Sequence, residues 1–329
     1  MPQPSYPYAC ARISALEKGL LNSQTIRRMA EGSLEDAMRV LLDARYGGLP
    51  DATSEDCERM IENVRRQTAR TVLELSPDPA VTDLFLLETD ALNLKILIKA
   101  RLLGSAEPPF VEGGLFPRER LSAMTQAQEY GELPPAMAEA LSELEKKLKI
   151  QTEPQLVSVM VDYGYLKHCL TVSSGLKDSF AKQYFSALCD FDNVITFLRM
   201  RAMGAQKEDL KEMLPPCAGV SAQTLIDIYE LSAETLNKAL SGSVAKSALQ
   251  EGLNRMLASG NIATLEKARD DYLLSIVNSH RHEVMSIFPI VGYLLARDRE
   301  AKAVRLILTV KRNGLDDGVI TERLRELYG

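Results

Sequence analysis

Four arrangements in this 329-residue sequence could do chemistry. The stretch Gly242-Ser-Val-Ala-Lys246-Ser247 resembles a phosphate-binding loop, in which backbone amides cradle a phosphate and the lysine meets its outer oxygens. Such a loop needs glycine wherever the backbone touches phosphate, and Leu240 and Ala245 stand at those two positions. Ser243-Val-Ala-Lys246 has the spacing of a lysine-activated serine nucleophile, but the companion elements of that chemistry are missing. His280 and His282 are separated by one residue in a helical stretch and so point about 200° apart, which is ill-suited to sharing a metal ion. They read as helix-face or helix-end residues. His168 stands alone, there is no Cys-x-x-Cys pair, and no metal or other cofactor is expected.

The fourth arrangement pairs Asp90 with Arg101, and it occurs twice. Asp90-x-x-Asn93 followed by Arg101-x-x-Gly104 recurs 100 positions later as Asp190-x-x-Asn193 followed by Arg201-x-x-Gly204. Phe85, Leu94, Leu97 and Ile98 recur with it as Phe185, Val194, Phe197 and Leu198. On one helix Asp90 and Arg101 lie about 16 Å apart, too far to act on one atom. Both fall on or beside the apolar stripe, where a charge needs a partner on a neighbouring helix. Asp90, Asn93, Arg101, Asp190, Asn193 and Arg201 are therefore expected to be structural locks between helices, and no catalytic residue is expected.

A worn third copy lies at an offset of 210, with Glu300 for Asp90, Ala303 for Asn93, Lys311 for Arg101 and Gly314 for Gly104. A second echo relates Ser33–Leu41 to Ser232–Leu240, with a poorer version from Pro134 to Leu141. Internal repetition of this kind predicts three similar helical units, at residues 1–104, 105–204 and 205–329, the last degenerate. Gly104 and Gly204 each follow a basic residue at the end of an apolar-periodic run, as left-handed helix caps do.

The elements that carry these residues read as helices. Leu84, Leu87, Ala91, Leu94 and Ile98 form one stripe, and Ala187, Phe191, Val194, Leu198 and Ala202 another. Similar runs span Ala9–Leu21, Leu34–Leu42, Met60–Leu75, Ala136–Leu148, Leu156–Leu170, Leu225–Tyr229, Ala263–Val277 and Leu294–Val310. Ser33 with Asp36, and Ser54, read as N-caps. Strand alternation is lacking, so the fold class is all-α. A hydrophobic content of 46% suits a globular domain, and 6% aromatic residues without tryptophan suit aliphatic helix packing. The net charge of -6 is well mixed along the chain and offers no basic face for nucleic acid. Ser286–Ala296 is about half the ~20 apolar residues of a membrane span, and no secretory signal opens the sequence. Cys10, Cys57, Cys169, Cys189 and Cys217, odd in number and scattered, read as free thiols.

The stretches Glu88–Arg101 and Cys189–Arg201 resemble the aspartate-asparagine-arginine helix signature of the C subunit of V-type and A-type ATP synthases, the family that includes the d subunit of vacuolar ATPases. Further matches are Tyr6-Pro-Tyr8-Ala-Cys-Ala-Arg12, Ser33-Leu-Glu-Asp36, Val161-Asp162-Tyr163-Gly-Tyr165-Leu and Pro289-Ile-Val-Gly-Tyr293-Leu-Leu, in order along nearly the whole chain. Cys10 interrupts the first of these patterns, and the third copy lacks its asparagine. The resemblance implies a funnel of three helical units seated peripherally on the cytoplasmic face of a membrane rotor ring. It implies a non-catalytic central-stalk subunit that passes torque between the shaft of the soluble head and the ring, for ATP-driven ion transport or ATP synthesis. The implied partners are the proteolipid subunits of the ring and the central-shaft subunits, with the stator membrane subunit as a third candidate, and no small-molecule substrate or nucleic acid.

Two other classes fit less well. A helical-repeat adaptor unrelated to rotary ATPases is allowed by the repetition, but common helical solenoids repeat at roughly 33 to 47 residues. A helical enzyme would need convergent acids, bases or metal ligands. With both glycines of the phosphate loop replaced, the purified chain is expected to show no saturable micromolar ATP binding by calorimetry. Binding that is abolished by Lys246→Ala would reinstate the loop.

Overall fold

A computed structural model describes residues 4–150, 153–176, 179–216, 219–280, 283 and 285–325; His282 and Cys217 lie outside them. The chain is all-α, with no strand among the described residues. Its helices are α1 (Tyr6–Glu17), α2 (Ser23–Glu31), α3 (Leu34–Asp43), α4 (Cys57–Leu75), α5 (Pro79–Leu103), α6 (Arg118–Ala127), α7 (Pro135–Leu148) and α8 (Pro154–Gly175). They continue as α9 (Ser179–Ala202), α10 (Ala222–Asp227), α11 (Ala233–Ala239), α12 (Lys246–Ser259), α13 (Ala263–Ser279), α14 (Phe288–Arg312) and α15 (Gly318–Arg323).

Local chemistry sets many of the boundaries. Ser33 caps α3 in a reciprocal box, accepting from the Asp36 amide at 3.1 Å while Asp36 accepts from the Ser33 amide at 3.1 Å. The cap expected at Ser54 is made one residue earlier, by Thr53 with Asp56, over a short 3-10 turn that leads into α4. The run Ala9–Leu21 is also shorter than its apolar pattern, since α1 stops at Glu17 and Leu21 lies beyond it. The three long helices α5, α9 and α14 end alike, because Gly104, Gly204 and Gly314 all have φ between 62° and 70°. The residue after each glycine donates its amide five residues back, Ser105 to Ala100 at 2.9 Å, Ala205 to Met200 at 3.1 Å and Leu315 to Val310 at 3.0 Å. This 6→1 bond is the Schellman motif, and the left-handed residue it requires explains why glycine stands in all three copies.

The chain divides into two compact units, one of Met1–Thr89, Val111–Leu115 and Val277–Gly329, the other of Asp90–Phe110 and Phe116–Ile276. In the first, α14 packs on α4, and Met60, Ile61 and Val64 share a core with Ala301, Val304, Ile307 and Leu308. Arg65 of α4 pairs with Asp298 of α14, and Lys302 reaches the same carboxylate at 2.7 Å. Burial opposes ionisation of Asp298, but Lys302 and Arg65 beside it hold its pKa at about 2. This contribution to stability is therefore complete above the ordinary carboxylate range and is lost as pH falls toward 2.

In the second unit α7 lies against α8, which in turn packs on α9. The α7–α8 approach is close because Gly164 of α8 has no side chain, and a Cβ there would fall 2.9 Å from the Cβ of Ala140 and 3.0 Å from the Cα of Met137. The cysteines depart in one respect from the expected free thiols. Cys10, Cys57 and Cys169 are buried and outside any disulfide, but Cys189 is disulfide-bonded. Overpacking the α7–α8 contact with Gly164→Val should lower unfolding stability by about 2 kcal/mol in a denaturant titration. Gly175→Ala, where a Cβ meets nothing within 4 Å, should change it by less than about 0.5 kcal/mol.

Candidate functional site

Asp90, Asp190 and Glu300 each precede a capping glycine by fourteen residues, and their exposures are 0%, 1% and 1%. A carboxylate so far out of water must be met by donors, and in each copy a backbone amide supplies one. Asp90 Oδ1 accepts from the Phe116 amide at 3.2 Å, Asp190 Oδ1 from the Val220 amide at 2.9 Å, and Glu300 Oε2 from the Leu21 amide at 2.6 Å. The three donors occupy one structural position. Leu21, Phe116 and Val220 each immediately precede the N-cap residue of a helix, Asn22 for α2, Pro117 for α6 and Ser221 for α10. A buried acid thus clasps the lead-in to a short helix three times over.

The clasps are differently furnished. Asn193, one turn from Asp190, donates from Nδ2 to the carbonyls of Pro215 at 3.0 Å and Val220 at 3.4 Å, fixing the same loop from the other side. Asn93 is equally buried, and Ala303 fills the corresponding position in the third copy. Arg297 donates to Glu300 Oε1 at 2.7 Å and to the Tyr293 hydroxyl at 3.2 Å. Burial pushes the Asp190 carboxyl up, against the pull of the Ser243 hydroxyl and the Val220 amide. Burial likewise raises Glu300, against Arg297 and the Leu21 amide. A raised carboxyl pKa means that the contribution to stability is fullest below the ordinary range and declines as pH rises through the shifted value. At neutral pH these acids specify position more than they add net stability.

The phosphate-like loop belongs to the second clasp. The Ser243 hydroxyl donates to Asp190 Oδ2 at 2.6 Å and accepts from the Ala245 amide at 3.0 Å, while Lys246 points into solvent. A Cβ on Gly219 would lie 2.2 Å from the same Asp190 oxygen, and one on Gly242 would lie 2.7 Å from the Gly219 carbonyl oxygen. The glycines here admit close backbone packing around a carboxylate, a setting that repels phosphate.

The arginines of the repeat part company. Arg101 is largely buried and donates from Nη2 to both oxygens of Glu145 on α7, at 2.8 and 2.7 Å, and from Nη1 to the Thr125 carbonyl at 2.5 Å. The Tyr130 hydroxyl donates to Glu145 Oε1 at 2.6 Å. Arg201 is exposed, and the lock expected of it is not formed among the described residues. Lys311 in the third copy keeps a side chain 5% exposed and lies 3.5 Å from Asp317. Glu145 and Tyr130 went unnoticed in the sequence, although Glu145 interrupts the stripe of Leu141, Leu144 and Leu148 and so marks a buried charge in need of a partner.

Several other half-buried charges in the second unit are matched as well. Lys95 meets Asp162 at 2.6 Å, Lys99 meets the Ser158 hydroxyl at 2.7 Å, and Arg269 meets Asp192 at 2.7 Å and Asp270 at 3.0 Å. His280 Nδ1 lies 2.7 Å from Glu283 and its ring stacks on Phe288, while His168 is half-buried in α8 with burial lowering its pKa. No group of metal-ligating side chains is found among the described residues. The arrangement chiefly positions helices.

Comparison with known proteins agrees with this architecture. Residues 9–323 match the ATP synthase (C/AC39) subunit family. A relative, the C subunit of the A-type ATP synthase of Pyrococcus abyssi, is 25% identical, with 98% of this chain and 90% of that protein covered. The C subunit of the V-type sodium ATPase of Enterococcus hirae is 20% identical over 96% of this chain and 97% of its own length. The corresponding C subunit of the A-type ATP synthase of Methanocaldococcus jannaschii is 22% identical over 94% and 84%. The chain belongs to the ATP synthase (C/AC39) subunit family.

Removing Arg101 would strand Glu145 without its charge partner. Arg101→Ala should therefore destabilise the protein by about 3 kcal/mol. The exposed Arg201→Ala should cost less than about 0.5 kcal/mol in the same urea titration. Equal losses at the two positions would contradict the difference in their surroundings.

Proposed function

We propose that this chain is a non-catalytic central-stalk subunit of a V/A-type rotary ATPase, joining the rotating shaft of the soluble head to the membrane rotor ring. The observation that carries this reading is family membership across residues 9–323, nearly the whole chain. The internal commitments of the conspicuous polar residues support it. Asp90, Asp190, Glu300, Arg101 and Ser243 all hold helices or loops in place, as a part that transmits force requires and as an enzyme's reacting groups do not. Among the described residues no helix is long and apolar enough to cross a membrane, which suits a peripheral position on the ring's cytoplasmic face.

We further infer that the three stretches 1–104, 105–204 and 205–329 are copies of one ancestral unit, the recurrence of both the acid clasp and the Schellman cap being the support. Joining a shaft to a ring takes two docking faces, each burying on the order of 1,000 Å² or more. Deleting the chain from an otherwise complete complex should leave ATP hydrolysis in the released head and abolish ion movement in reconstituted vesicles. Ion pumping that survives the deletion would refute the coupling role and leave a helical-repeat adaptor as the better description.

A further inference from the structure

Lys95 and Lys99 stand one turn apart on α5, and Ser158 and Asp162 one turn apart on α8, all within the second compact unit. The two helices run antiparallel there, since Lys95 Nζ donates to Asp162 Oδ1 at 2.6 Å and Lys99 Nζ to Ser158 Oγ at 2.7 Å. Where Lys95 finds a carboxylate, Lys99 finds only a hydroxyl. Among the described residues Lys99 forms no ion pair. An ammonium has three N–H bonds to donate, and Ser158 takes one of them. The Ser158 hydroxyl, in accepting that bond, keeps its own hydrogen, which meets no acceptor among the described residues. Two N–H bonds and one O–H bond are thus left side by side without an acceptor in the chain.

Lys99 is half-buried, and burial, then the charge of Lys95, hold its pKa below the ordinary lysine range against the pull of Asp162. An ammonium so placed is stabilised by an anion that comes to it. Lys95 and Asp162 cancel, and Asp192, which senses both, is matched by Arg269. What remains at Lys99 is one positive charge, the complement of a single carboxylate. One ammonium and one hydroxyl hold a free anion only weakly, so the carboxylate needs a carrier docked by other contacts. Leu92 offers such a contact: it precedes Lys95 by three residues and Lys99 by seven, on the same stripe of α5, and is 41% exposed.

We propose that Lys99 and Ser158 form a seat for one carboxylate, an aspartate or glutamate side chain of a partner subunit that also covers Leu92. Such a partner presupposes that the chain docks within a rotary complex, as the coupling role requires.

Rebinding of the full chain to a complex stripped of it reads the seat. Lys99→Met keeps the aliphatic stem but removes the charge, and should weaken rebinding about tenfold. The melting temperature of the free Lys99→Met chain should stay the same or rise, because a half-buried ammonium no longer has to be held out of water. Lys99→Arg, which keeps the charge, should rebind within about threefold of wild type. Assembly should slow acetylation of Lys99 by an N-hydroxysuccinimide ester, followed by peptide mass spectrometry. In the free chain, excess sodium acetate should leave that rate as it is in sodium chloride of equal ionic strength. Protection by acetate alone would mark a site for free anions and overturn the protein partner. Normal rebinding of Lys99→Met, or a lowered melting temperature, would make Lys99 a link between α5 and α8 only and overturn the seat while leaving the coupling role intact. Failure of the wild-type chain to rebind would overturn both.

Discussion

A carboxylate removed from water must be surrounded by donors, and this demand, met three times by a backbone amide at the same structural position, organises the chain. Each long helix carries one such acid about 21 Å before its glycine cap. The acid fixes where a short helix begins, and in the first two copies that helix is the next one, so that the cap also fixes where the connection toward it departs. Position at both ends of that connection is therefore set by a pair of features on a single rigid helix. Because burial works against ionising Asp190 and Glu300, what these acids supply is geometric definition more than net stability.

The same economy explains the fate of the residues that look reactive. Ser243, which sits in a loop of phosphate-binding appearance, completes the shell of Asp190, and the nearby glycines admit backbone packing around that carboxylate. Arg101 completes a buried group with Glu145 and Tyr130. Asp90, Asp190, Glu300, Arg101 and Ser243 are thus each committed to a partner within the protein. A nucleophile or general base would instead need an unsatisfied face directed at a substrate.

Features governed by local rules were legible in the sequence. The caps at Gly104 and Gly204 follow from the left-handed backbone that a Schellman motif requires, and the box at Ser33 and Asp36 follows from spacing alone. Partners across the chain were not legible. Leu21 continues an apolar pattern from Ala9, yet α1 stops at Glu17 and Leu21 serves as the donor to Glu300; nothing local links residues 279 positions apart. The lock expected at Arg201 failed for a geometric reason. Glu145 stands eleven residues into α7, whereas α11, whose start echoes that of α7 in sequence, is only seven residues long and ends before an equivalent position. The disulfide at Cys189 was equally hidden, since pairing depends on proximity in space.

The span of the third clasp also bears on the order in which the chain can be built. Loops of 26 and 30 residues close soon after their segments are made, but the Leu21 amide must wait for Glu300 to be synthesised. At ~5–20 residues per second that interval is on the order of 15–60 s. Throughout it, Leu21, Ile26 and Met29 lack the α14 residues that complete their core. The segment around Leu21 is thus made long before it can find its place, and its apolar side chains are the ones a nascent-chain chaperone would have reason to hold.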